Sequence, residues 1–168
     1  MADYVWKLEF DKTPSPFNPA NLEAITTAFA LDVPSSGLLV IPSSAPVKRT
    51  VYELRLMGVN AHELDLLKHK VSDGGDVRRA NPTLLVATLA TTRGLDLPGL
   101  THVFVLGIPE GPSVTGRSVD AYLHLAGRVG RFGRAGKVIS VVEEAEAAKM
   151  VRIFKLIGVE PVLFKQFI

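Results

Sequence analysis

Four short apolar runs, spaced along the chain, constrain the fold more than any other feature of the sequence. They are residues 37–41 (GLLVI), 83–88 (TLLVAT), 101–106 (THVFVL) and 136–142 (GKVISVV). Continuous apolar runs of this length are typical of strands buried on both faces of a parallel sheet. Helical patterns separate the runs, so the sequence predicts an α/β fold with a mainly parallel sheet and helices on both faces.

Capping and breaking residues place the elements between these runs. We expect helices at 21–30 with Asn18 or Asn21 as the cap, at 45–57 closed by Gly58, at 118–131 capped by Ser118, and at 143–157. Residues 1–168 are expected to form one domain with an extension at 1–19. The remaining expectations are an edge strand at Tyr4–Phe10, a short strand at 59–64, a short helix at 65–71, loops at 72–82 and 107–117, and a tail or edge strand at 161–167.

Composition limits the class of protein. The 168 residues are 47% hydrophobic, enough for one well-packed core, and the net charge of +2 allows nucleic-acid binding only through a local basic patch. The sequence has no cysteine, which excludes disulfides, thiol catalysis and cysteine-ligated metals. With no signal peptide and no run of about 20 apolar residues, we expect a soluble intracellular protein, in the cytosol, the nucleus or an organelle such as a mitochondrion or plastid, with no membrane contact.

Residues 122–136 (YLHLAGRVGRFGRAG) carry the clearest functional signal. Arg128, Arg131 and Arg134 recur every three residues, and a glycine precedes each of them. Arginines at this spacing are neighbours on one face of a helix, and each guanidinium is a charged fork that fits phosphate oxygens. The glycines let a backbone or an anion come close. The segment therefore predicts phosphate binding, at the carboxyl ends of the strands where parallel sheets place their ligands.

Three segments together resemble the motifs of DEAD-box RNA helicases. Residues 86–104 (VATLATTRGLDLPGLTHVF) resemble motif V, A-T-D-x-x-x-R-G-x-D-x-P-x-V-x-x-V, and residues 122–136 resemble motif VI, Y-x-H-R-x-G-R-x-G-R-x-G-x-x-G. Gly37–Ser44, a strand ending in a small polar turn, resembles motif IV. Their order and spacing are similar to those of the second, C-terminal RecA-like domain, over nearly the whole chain. The resemblance implies a RecA-like three-layer sandwich.

The resemblance also implies ligands and residue roles. The ligands are ATP and Mg²⁺, both held mainly by an N-terminal RecA domain of the same protein, and single-stranded or structured RNA. Arg128 and Arg131 match the arginine fingers that stabilise charge on the transferred phosphoryl group. The other implied roles are contact with the nucleotide (Asp96 on the ribose, with Gly94 and Arg93), contact with RNA phosphates (Thr88, Ser43, Ser44) and interdomain contact (His124).

The chain departs from the family pattern at two positions. Leu89 stands where motif V has aspartate, and Leu125 stands where motif VI has an arginine that helps to join the two domains. The chain also lacks a P-loop and a DEAD-like acidic motif, so it is not expected to hydrolyse ATP by itself. The sequence leaves two other functions open. One is a degenerate helicase domain that serves as a non-catalytic RNA-binding or protein-docking module, and the other is a DNA-directed helicase of the same superfamily.

Each candidate residue has a structural alternative. The three arginines can be solvated surface charges, His124 a satisfied, partly buried histidine, Asp96 a turn cap, and Thr88 a structural hydroxyl at a strand end. The basic pairs Lys48-Arg49 and Arg78-Arg79 can contact RNA or simply face solvent. His62 and His69 do not predict a metal site, because no carboxylate spacing supports one.

Overall fold

The computed structural model describes residue 10 and residues 14–34, 36–64, 82–92, 100–109, 116–126 and 136–162. In chain order the elements are α1 (Pro19–Leu31), β1 (Gly37–Ile41), α2 (Val47–Leu56), β2 (Ala61–Glu63), β3 (Leu84–Thr88), the short α3 (Leu89–Thr92), β4 (His102–Leu106), α4 (Gly116–Ala126), β5 (Lys137–Val141) and α5 (Glu144–Ile157). Among these described residues, no helix is long and apolar enough to cross a membrane.

The five strands form one sheet in the order β2-β3-β1-β4-β5, and every neighbouring pair is parallel. Because the chain leaves β1 toward β2 on one side and leaves β4 toward β5 on the other, the order reverses between β1 and β4. Such a reversal opens a crevice at the carboxyl ends of the two strands. The α/β class and the parallel sheet predicted from the apolar runs are confirmed.

The two faces of the sheet bury alternate side chains of the same strands. Leu39 and Ile41 of β1 pack in one apolar cluster with Leu22 and Ile25 of α1 and Val51 and Leu54 of α2. Leu38 and Val40 point to the other face, where a second cluster contains Leu89 of α3 and Ala121 and Leu125 of α4. All five residues of β1 are buried. This explains why β1 is continuously apolar: it is covered on both faces.

Local signals fix the ends of the helices. Asn18 caps α1, because its Oδ1 accepts a hydrogen bond from the Ala20 amide at 3.1 Å, and Pro19 occupies the first helical turn. Gly58 follows α2 and Gly158 follows α5, both with positive φ (90° and 75°), which glycine adopts without strain. The predicted cap Asn18 and the closing role of Gly58 are therefore confirmed.

Three local predictions are wrong. Ser118 does not cap α4, because the helix begins at Gly116 and Ser118 is a buried residue within it. Strand β5 is not buried on both faces: it lies at an edge of the sheet, Lys137 is exposed and only Val141 is fully buried. Phe10 is helical rather than extended, while the rest of the predicted strand at 4–10 lies outside the described residues. The predictions for 65–71 and for almost all of 72–82 and 163–167 also lie outside them.

A polar network ties the end of α1 to the amino edge of the sheet. Asp32 Oδ2 lies 2.9 Å from Nε2 of His102 and accepts a hydrogen bond from Lys137 Nζ. The other ring nitrogen of His102, Nδ1, lies 2.8 Å from Thr101 Oγ1, and the Ser36 amide donates to that same oxygen at 3.2 Å. Hydrogen bonds from Lys137 and His102 lower the pKa of Asp32 from 3.8 to about 2. This network lies at the edge of the sheet opposite the crevice.

Candidate functional site

A cleft of about 720 Å³ lies at the carboxyl edge of the sheet, where the strand order reverses. The segments that follow β1 and β4 form two of its sides, and α1, α4 and α5 complete it. We call it the carboxyl-edge cleft and define it by its described lining residues, which are Pro16, Phe17, Asn18, Asn21, Val40, Ile41, Pro42, Ser43, Ser44, Ala45, Pro46, Leu89, Val105, Leu106, Gly107, Ile108, Pro109, Leu125, Val141, Glu143 and Glu146.

The segment after β1 supplies two of the predicted RNA-contacting residues. Ser43 and Ser44 are exposed in a tight turn that the Ala45 amide closes by donating to the Pro42 carbonyl at 2.9 Å. Both serines line the cleft. The turn therefore presents two hydroxyl groups, each of which can donate a hydrogen bond to an acceptor such as a phosphate oxygen.

Thr88 ends the neighbouring strand at the same edge. It is the register partner of Ile41 in the parallel pair of β1 and β3, so it lies beside the segment that leads to the serines. Its Oγ1 accepts a hydrogen bond from the Thr91 amide at 3.3 Å and lies 3.0 Å from Thr91 Oγ1. The hydroxyl therefore helps to start α3, which is the structural role that the sequence left open. Thr88 is only partly buried.

The two departures from the motif patterns meet in one place. Leu89 is 4% exposed and Leu125 is 1% exposed, and both belong to the apolar cluster that includes Val40 and Val105. Both also line the carboxyl-edge cleft. The residue that replaces the interdomain arginine is thus packed into the core of this domain, and its side chain does not face outward.

Next to Leu125, His124 is exposed on α4. The alternative of a partly buried histidine is wrong for this residue. Its exposure agrees with a residue that contacts another molecule or domain.

The side of the cleft at α1 and α5 is fixed by a hydrogen bond between distant segments. Asn18, while it caps α1 with Oδ1, donates from Nδ2 to Glu143 Oε1 at 3.3 Å. Glu143 and Glu146 both line the cleft at the start of α5, where carboxylates are favourable beside the positive end of the helix dipole. Sequence reasoning identified Asn18 as a cap, but it did not identify this second hydrogen bond.

The basic pair Lys48-Arg49 is divided: Lys48 is exposed, whereas Arg49 fits neither alternative. Arg49 is only 7% exposed, so it is neither a solvated charge nor an RNA contact. Its Nη1 donates to the Phe10 carbonyl at 3.0 Å, and the guanidinium lies 5.2 Å from the Phe10 ring centroid and 5.7 Å from that of Tyr52. Arg49 therefore binds Phe10 to α2. Nothing in the residue pair itself signalled this contact, because the aromatic partner is 39 positions away in sequence.

Several predicted site residues lie outside the described residues. They are Arg93, Gly94, Asp96, Arg128, Arg131 and Arg134. Within the described part of the chain, no group of three or more His, Asp or Glu side chains could hold a metal ion. The described residues therefore do not form a metal site. Of the arginine segment, the structure describes only what flanks it, which is α4 before it and β5 after it.

Comparison with known proteins agrees with this architecture. A family model described as the helicase conserved C-terminal domain matches residues 70–133. The C-terminal domain of the DEAD-box protein Dbp5 superposes with a TM-score of 0.63 at 22% identity, covering 84% of this chain and 80% of that one. The chain has the fold of a DEAD-box helicase C-terminal domain. The resemblance predicted from the three motifs, and with it the RecA-like fold class, is confirmed.

Two further structures show the same fold. The E. coli DEAD-box protein SrmB, bound to regulator of ribonuclease activity A, has a TM-score of 0.61 at 22% identity, covering 81% of this chain and 78% of that one. S. cerevisiae Dbp5 bound to RNA and ADP BeF3 has a TM-score of 0.60 at 22% identity, and the match covers 84% of this chain and 37% of that one. No curated protein sequence matches the chain.

Proposed function

We propose that this chain is the C-terminal RecA-like domain of an ATP-dependent RNA helicase and that it completes an ATP site held mainly by an N-terminal RecA domain. One observation carries the proposal. The carboxyl-edge cleft collects segments from all three motifs, namely Ser43 and Ser44 after β1, Leu89 directly after Thr88, and Leu125 three residues before Arg128. Residues that are far apart in sequence converge on the edge where parallel sheets bind their ligands.

The roles follow from the chemistry of each side chain. Arg128 and Arg131 act as arginine fingers toward a phosphate held by the N-terminal domain, where their fixed charge stabilises the transition state. Asp96 accepts hydrogen bonds from the ribose, with Gly94 and Arg93 beside it. Thr88, Ser43 and Ser44 contact RNA phosphates, which position the strand without reading its sequence. His124 lies at the contact with the N-terminal domain. Mg²⁺ would be held mainly by that N-terminal domain, where it would neutralise phosphate charge.

The solved relatives support the ligand classes. Dbp5 has been solved bound to RNA and ADP BeF3, and SrmB bound to a protein regulator. By analogy with the Dbp5 complex, we propose RNA and ATP as the ligands of this chain. The extent of the domain, residues 1–168 with an extension at 1–19, and an intracellular location are part of the same proposal.

A second function is favoured by one specific observation. Leu125 is buried inside the domain, so it cannot make the interdomain contact of the arginine that it replaces. A degenerate domain that binds RNA or docks a protein, without coupling to ATP, is consistent with that loss. A DNA-directed helicase differs from the proposed function only in its substrate.

The deciding experiment is an ATPase assay on the full-length protein with and without RNA. We expect Arg131→Ala and Arg128→Ala each to lower RNA-stimulated kcat by about 1000-fold, the lower limit for losing an arginine finger. Arg117→Ala, an exposed arginine on α4 outside the three motifs, is the matched control and should retain most of the activity. If Arg131→Ala has the same RNA-stimulated ATPase activity as the wild type, the assignment of Arg131 as an arginine finger is wrong. If the wild type has no ATPase activity but binds single-stranded RNA more weakly as salt rises, the non-catalytic function is correct.

A further inference from the structure

Exposed apolar side chains collect on the outward side of α5. Val151 is 42% exposed, Leu156 is 62% exposed and Val159, just after the helix, is 46% exposed. The inward side of the helix is already used, since Met150 and Ile153 are buried in a cluster with Tyr122 and Ile108. A helix that is apolar on both sides is normally covered on both sides, so the outward apolar residues call for a partner.

Two cations lie among these apolar residues. Arg152 and Lys155 are exposed, and within α5 no carboxylate follows Glu146; the one acidic neighbour of these residues is Glu160, exposed just after Val159. Val151 and Lys155, like Arg152 and Leu156, are four residues apart and therefore adjacent on the helix surface. We call Val151, Arg152, Lys155, Leu156 and Val159 the outer face of α5.

The helix end holds this face in one conformation. The Val159 amide donates to the Phe154 carbonyl at 2.9 Å, and the Gly158 amide donates to Lys155 at 3.2 Å. The acceptors are the Lys155 and Phe154 carbonyls, and Gly158 has φ 75°, so these two hydrogen bonds form a Schellman motif. Val159 is therefore placed by the backbone at the end of the face.

We propose that the outer face of α5 docks an acidic segment of another protein, which packs apolar side chains on Val151, Leu156 and Val159 and places carboxylates beside Arg152 and Lys155. The charge of the face selects an acidic partner, and its aliphatic residues supply the area that such a contact buries. The proposal is independent of ATP hydrolysis. The outer face of α5 would be the docking surface of a domain that binds other proteins.

Two observations favour protein over RNA as the occupant. The bases of single-stranded RNA commonly stack on aromatic rings, and the apolar side chains of the outer face are all branched aliphatic ones. Within α5 the aromatic residue is Phe154, and it packs edge-on against Tyr122 with ring centroids 5.4 Å apart. The face also lies away from the proposed RNA site. Glu146 lines the cleft, and Leu156 follows ten residues later, about 15 Å further along the helix.

A second exposed apolar group provides a control. Leu31 (66% exposed), Val33 (51%) and Leu56 (65%) lie at the ends of α1 and α2. Their charged neighbours in sequence are of both signs, Asp32 beside the first two and Arg55 beside the third. This group has no charge bias that would select a partner, so substitutions in it test whether any loss of apolar surface has the same effect.

The test uses the 168-residue chain and a fluorescein-labelled 16-residue helical peptide with leucine and glutamate at i, i+3 and i+4 spacing. Anisotropy should show binding that weakens about tenfold, or 1.4 kcal/mol, in R152E/K155E. We expect a comparable loss in V151S/L156S and less than a twofold change in L31S/V33S. A peptide with lysine in place of glutamate should not bind. Because every substituted residue is exposed, thermal melting should show that all three variants are folded.

Four outcomes overturn the proposal. The first is that the glutamate peptide does not bind the wild-type chain, and the second is that the L31S/V33S control loses as much affinity as V151S/L156S. If R152E/K155E instead weakens binding to a labelled oligouridine RNA while the peptide does not bind, the face belongs to RNA. If sedimentation shows that the chain self-associates and that L156E makes it monomeric, the occupant is a second copy.

Discussion

Replacing Leu125 by alanine tests the most consequential packing contact at the site. Leu125 is 1% exposed and shares a cluster with Val40, Leu89 and Val105, so the substitution removes a fully buried side chain. Leucine-to-alanine changes in cores cost about 2–5 kcal/mol. Because Leu125 also borders an open cleft, water and neighbouring groups can partly fill the space. We therefore expect a loss of about 3 kcal/mol, in the lower half of that range.

Thermal unfolding followed by circular dichroism measures this loss. For a domain of this size, 1 kcal/mol corresponds to about 2–4 °C in Tm, so Leu125→Ala should lower Tm by about 6–12 °C. The matched control is Leu123→Ala in the same helix, where the leucine is 48% exposed. That variant should lose less than about 1 kcal/mol, because a surface substitution forfeits little burial.

The comparison of the two leucines can refute the reasoning directly. If Leu123→Ala lowers Tm as much as Leu125→Ala, then α4 does not present residue 125 to the core. The assignment of Leu125 as a buried replacement for an interdomain arginine would then be wrong. A further variant, Leu125→Arg, should be less stable than Leu125→Ala, because it places an unpaired charge among apolar side chains.

Three further predictions concern the frame around the site. The first concerns Asp32, whose pKa is 3.8 in the unfolded chain and about 2 in the folded one. Its ionised carboxylate therefore stabilises the fold fully above pH 3.8, and this contribution is lost as the pH falls through about 2. The difference in urea midpoint between wild type and Asp32→Asn should therefore be constant near neutral pH and shrink between pH 4 and 2, and a difference that persists at pH 2 contradicts this. Asn18→Ala should cost about 1 kcal/mol in urea unfolding through the lost cap, whereas Asn21→Ala, inside the helix, should cost nothing. Gly158→Ala should lower the free energy of unfolding by about 1 kcal/mol, because φ at this position is 75° and nothing within 4 Å of the added methyl group would clash. Gly116→Ala is the control: it is equally uncrowded and has no positive φ, so it should leave the stability unchanged in the same assay.

The sheet and most helices could be predicted because their signals are local. The alternation of apolar strands and helices and the cap at Asn18 depend on neighbouring residues, and the structure confirms them. The burial of β5 could not be predicted in this way, since its apolar run resembles that of β1. What separates them is position in the sheet: β1 lies between two strands, and β5 has one neighbour.

The site shows the same division between local and distant information. The motif spacing predicted which segments meet at the carboxyl edge, and Ser43, Ser44 and the residue after Thr88 do line one cleft. The contact of Arg49 with Phe10 and the bond from Asn18 to Glu143 join residues 39 and 125 positions apart. A single sequence has no pattern that pairs such distant positions. Only the fold brings these residues together.

The burial of Leu89 and Leu125 in one cluster makes the two departures a single physical change. A carboxylate at position 89 or a guanidinium at position 125 would need a partner or water to remain charged at these sites, where exposure is 4% and 1%. An apolar residue at one position therefore favours an apolar residue at the other. The consequence for function is specific. Residue 125 strengthens the interior of this domain and makes no contact outside it. Under the function that we propose, coupling to a second domain would therefore depend on exposed groups such as His124 and on the proposed fingers. The ATPase of Arg131→Ala measures whether that coupling survives.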